Sequence, residues 1–149
     1  MTERTAVGKP TVRADARAMV TGEVKYTADI QLPGMLYGKI LRSPHPHAKI
    51  ISVDYSEALK LPGVEAVVTA KDVPGDLYGE FLVDEPLFAK DEVRHIGERI
   101  AAVAAVDEAI AEKALDLIKV EYELLPAILD MEEALKPDAP KIMPEVKLM

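Results

Sequence analysis

The stretch RIAAVAAVDEAIAEKALDLIKVEYELLP, Arg99–Pro126, decides the fold, because it has to be divided between strand and helix. Ile100–Val106 is an unbroken apolar run bounded by Arg99 and Asp107. Such a run suits a strand covered on both faces, although its alanines would also suit a helix. Asp107 marks the division. An aspartate here caps a helix, and Glu108 complements the helix dipole. Ile110, Ala114, Leu117 and Ile118 then fall on one helical face. Lys119–Pro126 returns to strand character and is stopped by its proline. Strand, helix and strand in such quick succession predict a domain that mixes the two.

The chain before this stretch is mostly strands. Met35–Ser43 reads as a strand with Leu36, Ile40 and Leu41 as its apolar weight, and Gly38 marks a bulge or a close neighbour. Ala48–Tyr55 is β-branched and alternating, with Ile51 and Val53 sharing a face and Lys49 on that side at the strand's start. Ser56–Gly63 reads as a short helix, capped by Ser56 or Asp54 and ended by Pro62-Gly63. Val64–Ala70 is a buried strand and Lys71–Gly75 a turn. Asp76–Asp84 has little pattern beyond Tyr78 and Phe81. Glu85–Gly97 reads as strand, turn and strand. Glu23–Ile30, between the turns at Thr21-Gly22 and Leu32-Pro33-Gly34, reads as a short half-buried strand or an extended arm. Asp130 caps a short helix over Met131–Leu135. The expected division is an extended arm at 1–20, a domain at 21–135 and a connector at 136–149 that contains Pro137, Pro140 and Pro144. The fold class expected is α+β (mixed α/β), with a mixed β-sheet and two main helices.

Composition narrows the function. At 149 residues the chain can build one real core, burying roughly 68–70% of its unfolded surface. Hydrophobic residues at 49% and charged residues at 30% describe a globular chain. A net charge of −8 without a basic cluster argues against nucleic acid and anionic membrane surfaces as partners. No apolar run approaches the roughly 18 residues of a membrane span. The opening MTERTAVGKP lacks an apolar signal core, so the cytoplasm is the expected location. The absence of cysteine removes disulfides, thiolate zinc sites, cysteine nucleophiles and cysteine-ligated iron–sulfur clusters from this chain.

Candidate sites are few. His45 and His47 are two apart, so in an extended segment both point to one side and could ligate a metal. A protein metal site needs a third ligand, and nothing places His95, the other histidine, beside them. The reading preferred is a strand entrance whose prolines block edge pairing. His95 itself reads as a half-buried strand residue beside Gly97 rather than a titrating switch. The acidic pairs Asp84-Glu85 and Asp91-Glu92 read as solvated turn charges. No G-x-G-x-x-G, P-loop or G-x-S-x-G is present, so nucleotide, flavin and acyl-enzyme chemistry lack their usual marks. No catalytic, cofactor-binding or metal residue is assigned from the residues themselves.

Several phrases, in order, resemble a known family. They are Pro33-Gly34, Arg42-Ser43-Pro44-His45-Pro46-His47-Ala48, Leu61-Pro62-Gly63-Val64, Val93 with Gly97-Glu98, and Val120, Tyr122-Glu123 and Leu125-Pro126. Together they are similar to the a/b hammerhead domain at the start of the molybdopterin-binding large subunit of the xanthine dehydrogenase and aldehyde oxidase family. The resemblance runs roughly from Gly8 to Leu135. Pro46 departs from the usual alanine, and His95 stands where an aromatic or apolar residue is expected.

The resemblance implies an oxidoreductase that hydroxylates an aldehyde or an aromatic heterocycle with oxygen from water. It implies that the histidine phrase belongs to the scaffold and ligates no molybdenum. Molybdopterin and the base glutamate would be carried by later domains, and iron–sulfur clusters and FAD by partner subunits or domains. The chain would be a separately encoded subunit, a truncated piece or a proteolytic piece, inactive in isolation. Its partners would be the molybdopterin-binding domains or subunit, an iron–sulfur subunit and a FAD subunit. Within it, Tyr78, Phe81 and Leu82 on the irregular segment are the substrate-channel candidates, since aromatic and apolar side chains suit a planar substrate. The alternative is a non-catalytic scaffold or adaptor module. A biotin or lipoyl carrier is disfavoured, because Lys60 and Lys71 lie by a helix end and a turn rather than in a tight hairpin. Substrate and electron acceptor are not readable from these residues.

Overall fold

The computed structural model describes residues 8, 10–80 and 83–142. The chain divides into two compact units, Met1–Met35 and Leu36–Met149. In the first, α1 spans Ala16–Val20, and Thr27–Asp29 form one 3-10 turn. A helical turn thus replaces part of the expected extended arm. Glu23–Ile30 forms no strand either. The Tyr26 backbone N–H donates to Asp29 Oδ2 at 3.0 Å, so a local side-chain acceptor takes a donor that a strand ladder would have used.

The second unit holds β1 (Tyr37–Arg42), β2 (Ala48–Asp54), α2 (Ser56–Lys60), β3 (Val64–Thr69), β4 (Leu77–Tyr78), β5 (Glu85–Pro86), β6 (Glu92–Val93), β7 (Arg99–Ala105), α3 (Glu108–Asp116), β8 (Lys119–Leu124) and α4 (Met131–Ala134). The α+β class holds. The strands do not form one mixed sheet, however. They form antiparallel ladders in the orders β1-β7-β3, β6-β2-β8 and β4-β5.

The apolar run forms central strand β7 as expected, but it is covered on one face only: Ala101, Val103 and Ala105 are buried, whereas Ala102 and Ala104 are half-buried. Asp107 caps α3, its Oδ1 accepting from Ala109 N at 2.8 Å and Ile110 N at 3.4 Å. Asp130 caps α4 in the same way, accepting from Glu132 N at 2.9 Å and Glu133 N at 3.0 Å. Of the two candidates for α2, it is Asp54 that accepts, from Ser56 N at 2.9 Å. Hydrogen bonding from the Ser56 backbone and side chain draws the Asp54 carboxyl below its ordinary pKa, helped by Lys119 and Lys60 nearby. The inward face of α3 is rotated from the expected one. Ala111 and Ala114 are buried, whereas Leu117 is exposed at the C-terminal cap.

Register shifts decide the faces. In β2, Ile50 opposes Tyr122 and Ser52 opposes Glu121, so Ile51 is an unpaired bulge residue. A bulge re-phases alternation. Ile50 and Val53 turn inward and Ile51 is left 58% exposed, so Ile51 and Val53 do not share a face. Gly38 sits in regular register opposite Ala104, and the bulge in that ladder falls instead at Ile100, skipped between Leu41 and Arg42. Ile100 thereby joins a cluster with Ala48, Ala89 and Val93, while Ala101 and Val103 join Ala58, Ala114 and Ile118. Leu41, Val53 and Val120 touch both clusters and make one core of them.

Candidate functional site

Three separated phrases of the sequence converge at the entrance to β2. Arg42 Nη1 donates to the Gly97 carbonyl at 2.8 Å. Ser43 N donates to Glu98 O at 2.9 Å, and Gly97 N donates to Ser43 O at 2.8 Å. The phrase at 42–48 is therefore tied to the phrase at 97–98 by its backbone. Gly97 makes the turn possible, with φ +87.

The two histidines do different things. His45 sets its ring edge-to-face on Tyr122, centroids 4.8 Å apart. Its backbone N donates to Ser43 Oγ at 3.0 Å, and Ser43 Oγ donates back to His45 O at 3.1 Å. Burial raises the Tyr122 phenol above its ordinary pKa, against a hydrogen bond with Ser43. His47 engages both ring nitrogens: Nδ1 lies 2.6 Å from Pro126 O and Nε2 lies 2.7 Å from Glu92 Oε1. The bond to Pro126, then the bond to Glu92, hold the imidazole pKa above its ordinary value, against burial. The histidine phrase thus works as a clasp between strands, in keeping with the strand-entrance reading.

Glu92 is not the solvated turn charge that its pairing with Asp91 suggests. It sits in β6, where it opposes Lys49 of β2, and it reaches His47. Its partner is 45 residues away, so no local signal in the sequence points to it. His95 is exposed on a turn rather than half-buried in a strand, its Nδ1 3.1 Å from Ile96 O. Glu98 is buried and accepts from the backbone N–H of Arg94, whose guanidinium lies 3.8 Å from Glu98 Oε1. Among the described residues, no three His, Asp or Glu side chains are grouped to hold a metal ion.

A groove of about 260 Å³ opens beside the clasp. Pro46, His47, Ile96, Pro126–Leu129, Pro140 and Ile142 line it, and Arg94 and His95 bring the remaining polar groups. Its chemistry is that of an apolar slot with nitrogen donors at the edge. Among the described residues no carboxylate lines it, so they offer no acid–base pair there.

Of the channel candidates, Tyr78 lies in β4, opposite Glu85 of β5, and is 47% exposed. The expected loop at 76–84 thus contributes one strand of a minimal antiparallel ladder, whose other strand follows it. Phe81 and Leu82 lie outside the described residues. Tyr78 is not among the residues lining the groove.

Comparisons with known proteins follow the same geography. Residues 21–126 match the family model described as "Aldehyde oxidase and xanthine dehydrogenase, a/b hammerhead domain". A probable xanthine dehydrogenase subunit from Bacillus subtilis (strain 168) is 52% identical, over 91% of this chain and 18% of that protein. The nicotinate dehydrogenase large molybdopterin subunit of Eubacterium barkeri is 43% identical, over 91% of this chain and 32% of that protein. The crystal structure of quinoline 2-oxidoreductase from Pseudomonas putida 86 superposes with a TM-score of 0.81 at 39% identity, covering 92% of this chain and 19% of that one. The chain therefore spans between about a fifth and a third of the length of these three proteins.

Proposed function

Because the chain belongs to the a/b hammerhead family of aldehyde oxidase and xanthine dehydrogenase, we propose that it is the hammerhead scaffold of a molybdenum hydroxylase. The observation that carries this reading is the match across residues 21–126, which takes in every phrase gathered at the β2 entrance. The family is one of molybdopterin enzymes, and relatives carry the names of subunits. The assembled enzyme would oxidise an aldehyde or an aromatic heterocycle. Iron–sulfur clusters and FAD would ride on partner subunits or domains, because this chain has no cysteine to ligate a cluster.

The residues here do not fit the molybdopterin itself. A phosphate-bearing cofactor calls for a concave run of backbone N–H donors. The positive-φ glycines Gly8, Gly22, Gly34, Gly63, Gly79 and Gly97 are spread singly along the chain and build no such cradle among the described residues. The contribution of this chain is structural.

One face supports a covered position in a larger assembly. On the side of β1-β7-β3 away from Lys39 and α3, the register aligns Gly38, Ala104 and Ala66 in one row and Ile40, Ala102 and Val68 in the next. Every residue in these rows is small or apolar, and none is fully buried. An uncharged sheet face of small and apolar side chains lets a second apolar layer approach closely. We assign it to contact with the molybdopterin-binding part. The segment containing Tyr78, Phe81 and Leu82 would form part of the substrate-channel wall, and replacing Phe81 by alanine in the assembled enzyme tests that role through KM and substrate preference. Unchanged values would remove it.

The test of the whole reading is recovery of the tagged chain from its native source, with molybdenum quantified by elemental mass spectrometry. Molybdenum and a molybdopterin-binding partner should co-purify. Recovery of the chain alone and metal-free would favour the adaptor alternative.

A further inference from the structure

His47 is contacted by two acceptors. Nδ1 lies 2.6 Å from Pro126 O, and a carbonyl oxygen only accepts, so Nδ1 carries a proton. Nε2 lies 2.7 Å from Glu92 Oε1. An ionised carboxylate also only accepts, so a neutral ring protonated at Nδ1 would have nothing to donate there. Both contacts are satisfied together by an imidazolium facing an ionised Glu92. The His47 side chain is 13% exposed, so the ring itself is held inside, while its acceptors Glu92 and Pro126 remain open to solvent.

The same residue anchors the segment that follows β8. Leu125 N donates to His47 O at 3.1 Å, and the ring holds the next residue, Pro126. Residues 126–129 form one wall of the groove described above. We propose that His47 is a proton-operated latch. Protonated, it pins the segment after β8 to β6 and keeps the groove wall in place. Deprotonated, it releases either Glu92 or Pro126, and the wall loosens.

The surrounding charges have opposite effects. Glu92 from β6 favours the protonated ring, while the Arg94 guanidinium, which lines the same groove as His95, is a positive charge of opposite effect. Arg94 is drawn toward Glu98 at 3.8 Å, which mutes its effect. Lys49 of β2 is drawn toward Glu123 of β8 at 3.3 Å rather than toward Glu92. Lys90 and Asp91 flank Glu92 on the neighbouring surface and offset each other in sign. His45 is turned onto Tyr122. Glu92 is thus the carboxylate that sets the latch.

The full 149-residue chain tests this by nitrogen-15 NMR of the histidine rings across the neutral pH range, with amide exchange followed in parallel. Both ring nitrogens of His47 should report protons at pH 6.5, the ordinary midpoint, and the ring should lose one only above it. The protection factor of the Leu125 amide should fall through that same transition. Glu92→Gln, which keeps an acceptor but removes the charge, should move both changes to lower pH together. A singly protonated His47 below its ordinary midpoint would overturn the proposal. So would Leu125 protection that is indifferent to the transition, or a midpoint that Glu92→Gln leaves unmoved.

Discussion

A methyl group on Gly63 would lie 2.8 Å from Ile110 Cδ1 and 3.0 Å from Val106 Cγ2. The turn between α2 and β3 is seated directly on the start of α3, and Val106 N donates to Gly63 O at 2.9 Å. Gly63 also holds φ +93, a conformation that other residues adopt at a cost.

Gly63→Ala therefore combines left-handed strain with overpacking, for a loss of roughly 2–4 kcal/mol. The urea midpoint of the chain should fall accordingly. Gly34→Ala has similar φ, +75, but open space around it, and should cost less than Gly63→Ala. Equal costs at the two sites would remove the packing part of the argument.

Val103 is 1% exposed in central strand β7. Val103→Ala deletes buried methyl groups from the cluster shared with Ala114 and Ile118. The expected loss is roughly 1–3 kcal/mol, read from the same denaturation curves. Ile51→Ala, on the exposed bulge, should change stability by less than about 0.5 kcal/mol.

Asp107→Ala removes the acceptor for two N–H groups at the start of α3. Helix capping of this kind contributes about 1 kcal/mol, and Asp107→Asn should recover most of it. Calorimetric midpoints of the three proteins check the order.

The acid limb of stability carries Asp72. Hydrogen bonds from Thr69 N at 2.8 Å and Thr69 Oγ1 at 2.9 Å depress its pKa below the ordinary 3.8. Its contribution is present above 3.8 and is lost as pH falls through the depressed value. His47, with a raised pKa, contributes below 6.5 and loses that contribution as pH rises through its folded value. Stability against pH should show both limbs, and Asp72→Asn should reduce only the acid one, to which Asp54 also contributes.

Ile40 stands 41% exposed on the uncharged sheet face. Ile40→Asp should leave the isolated chain folded by circular dichroism and abolish its co-purification with a molybdopterin-binding partner. Retained co-purification would place that partner on another face.

Much of the fold is legible because the signals are local. Asp107 and Asp130 are readable as caps because an aspartate one residue before a helix meets donors within its own turn. The turn at Leu61–Val64 is readable because proline and glycine restrict or extend their own backbone. The run at Ile100–Val106 is readable as a strand because charge bounds it on both sides, but the cover expected on both faces is present on one only. The family-like phrases are legible as a series in fixed order, and they locate the hammerhead domain before any contact is known.

What tertiary structure decided are the relations between distant residues. The bulge at Ile51 depends on how β2 meets β8, and it turns a seemingly inward isoleucine out to solvent. The Ile100 bulge likewise sorts one apolar run between two clusters. Glu92 became the partner of His47, and Pro126 its second acceptor, only when β6 and the end of β8 came to flank the start of β2. The sequence by itself determines most of the strands, helices and turns from Met35 onward, since those choices rest on each residue's own backbone and near neighbours, while Glu23–Ile30 and Leu77–Tyr78 escaped it. Pairing register and side-chain partnership rest on packing across many residues, so only the folded chain decides them.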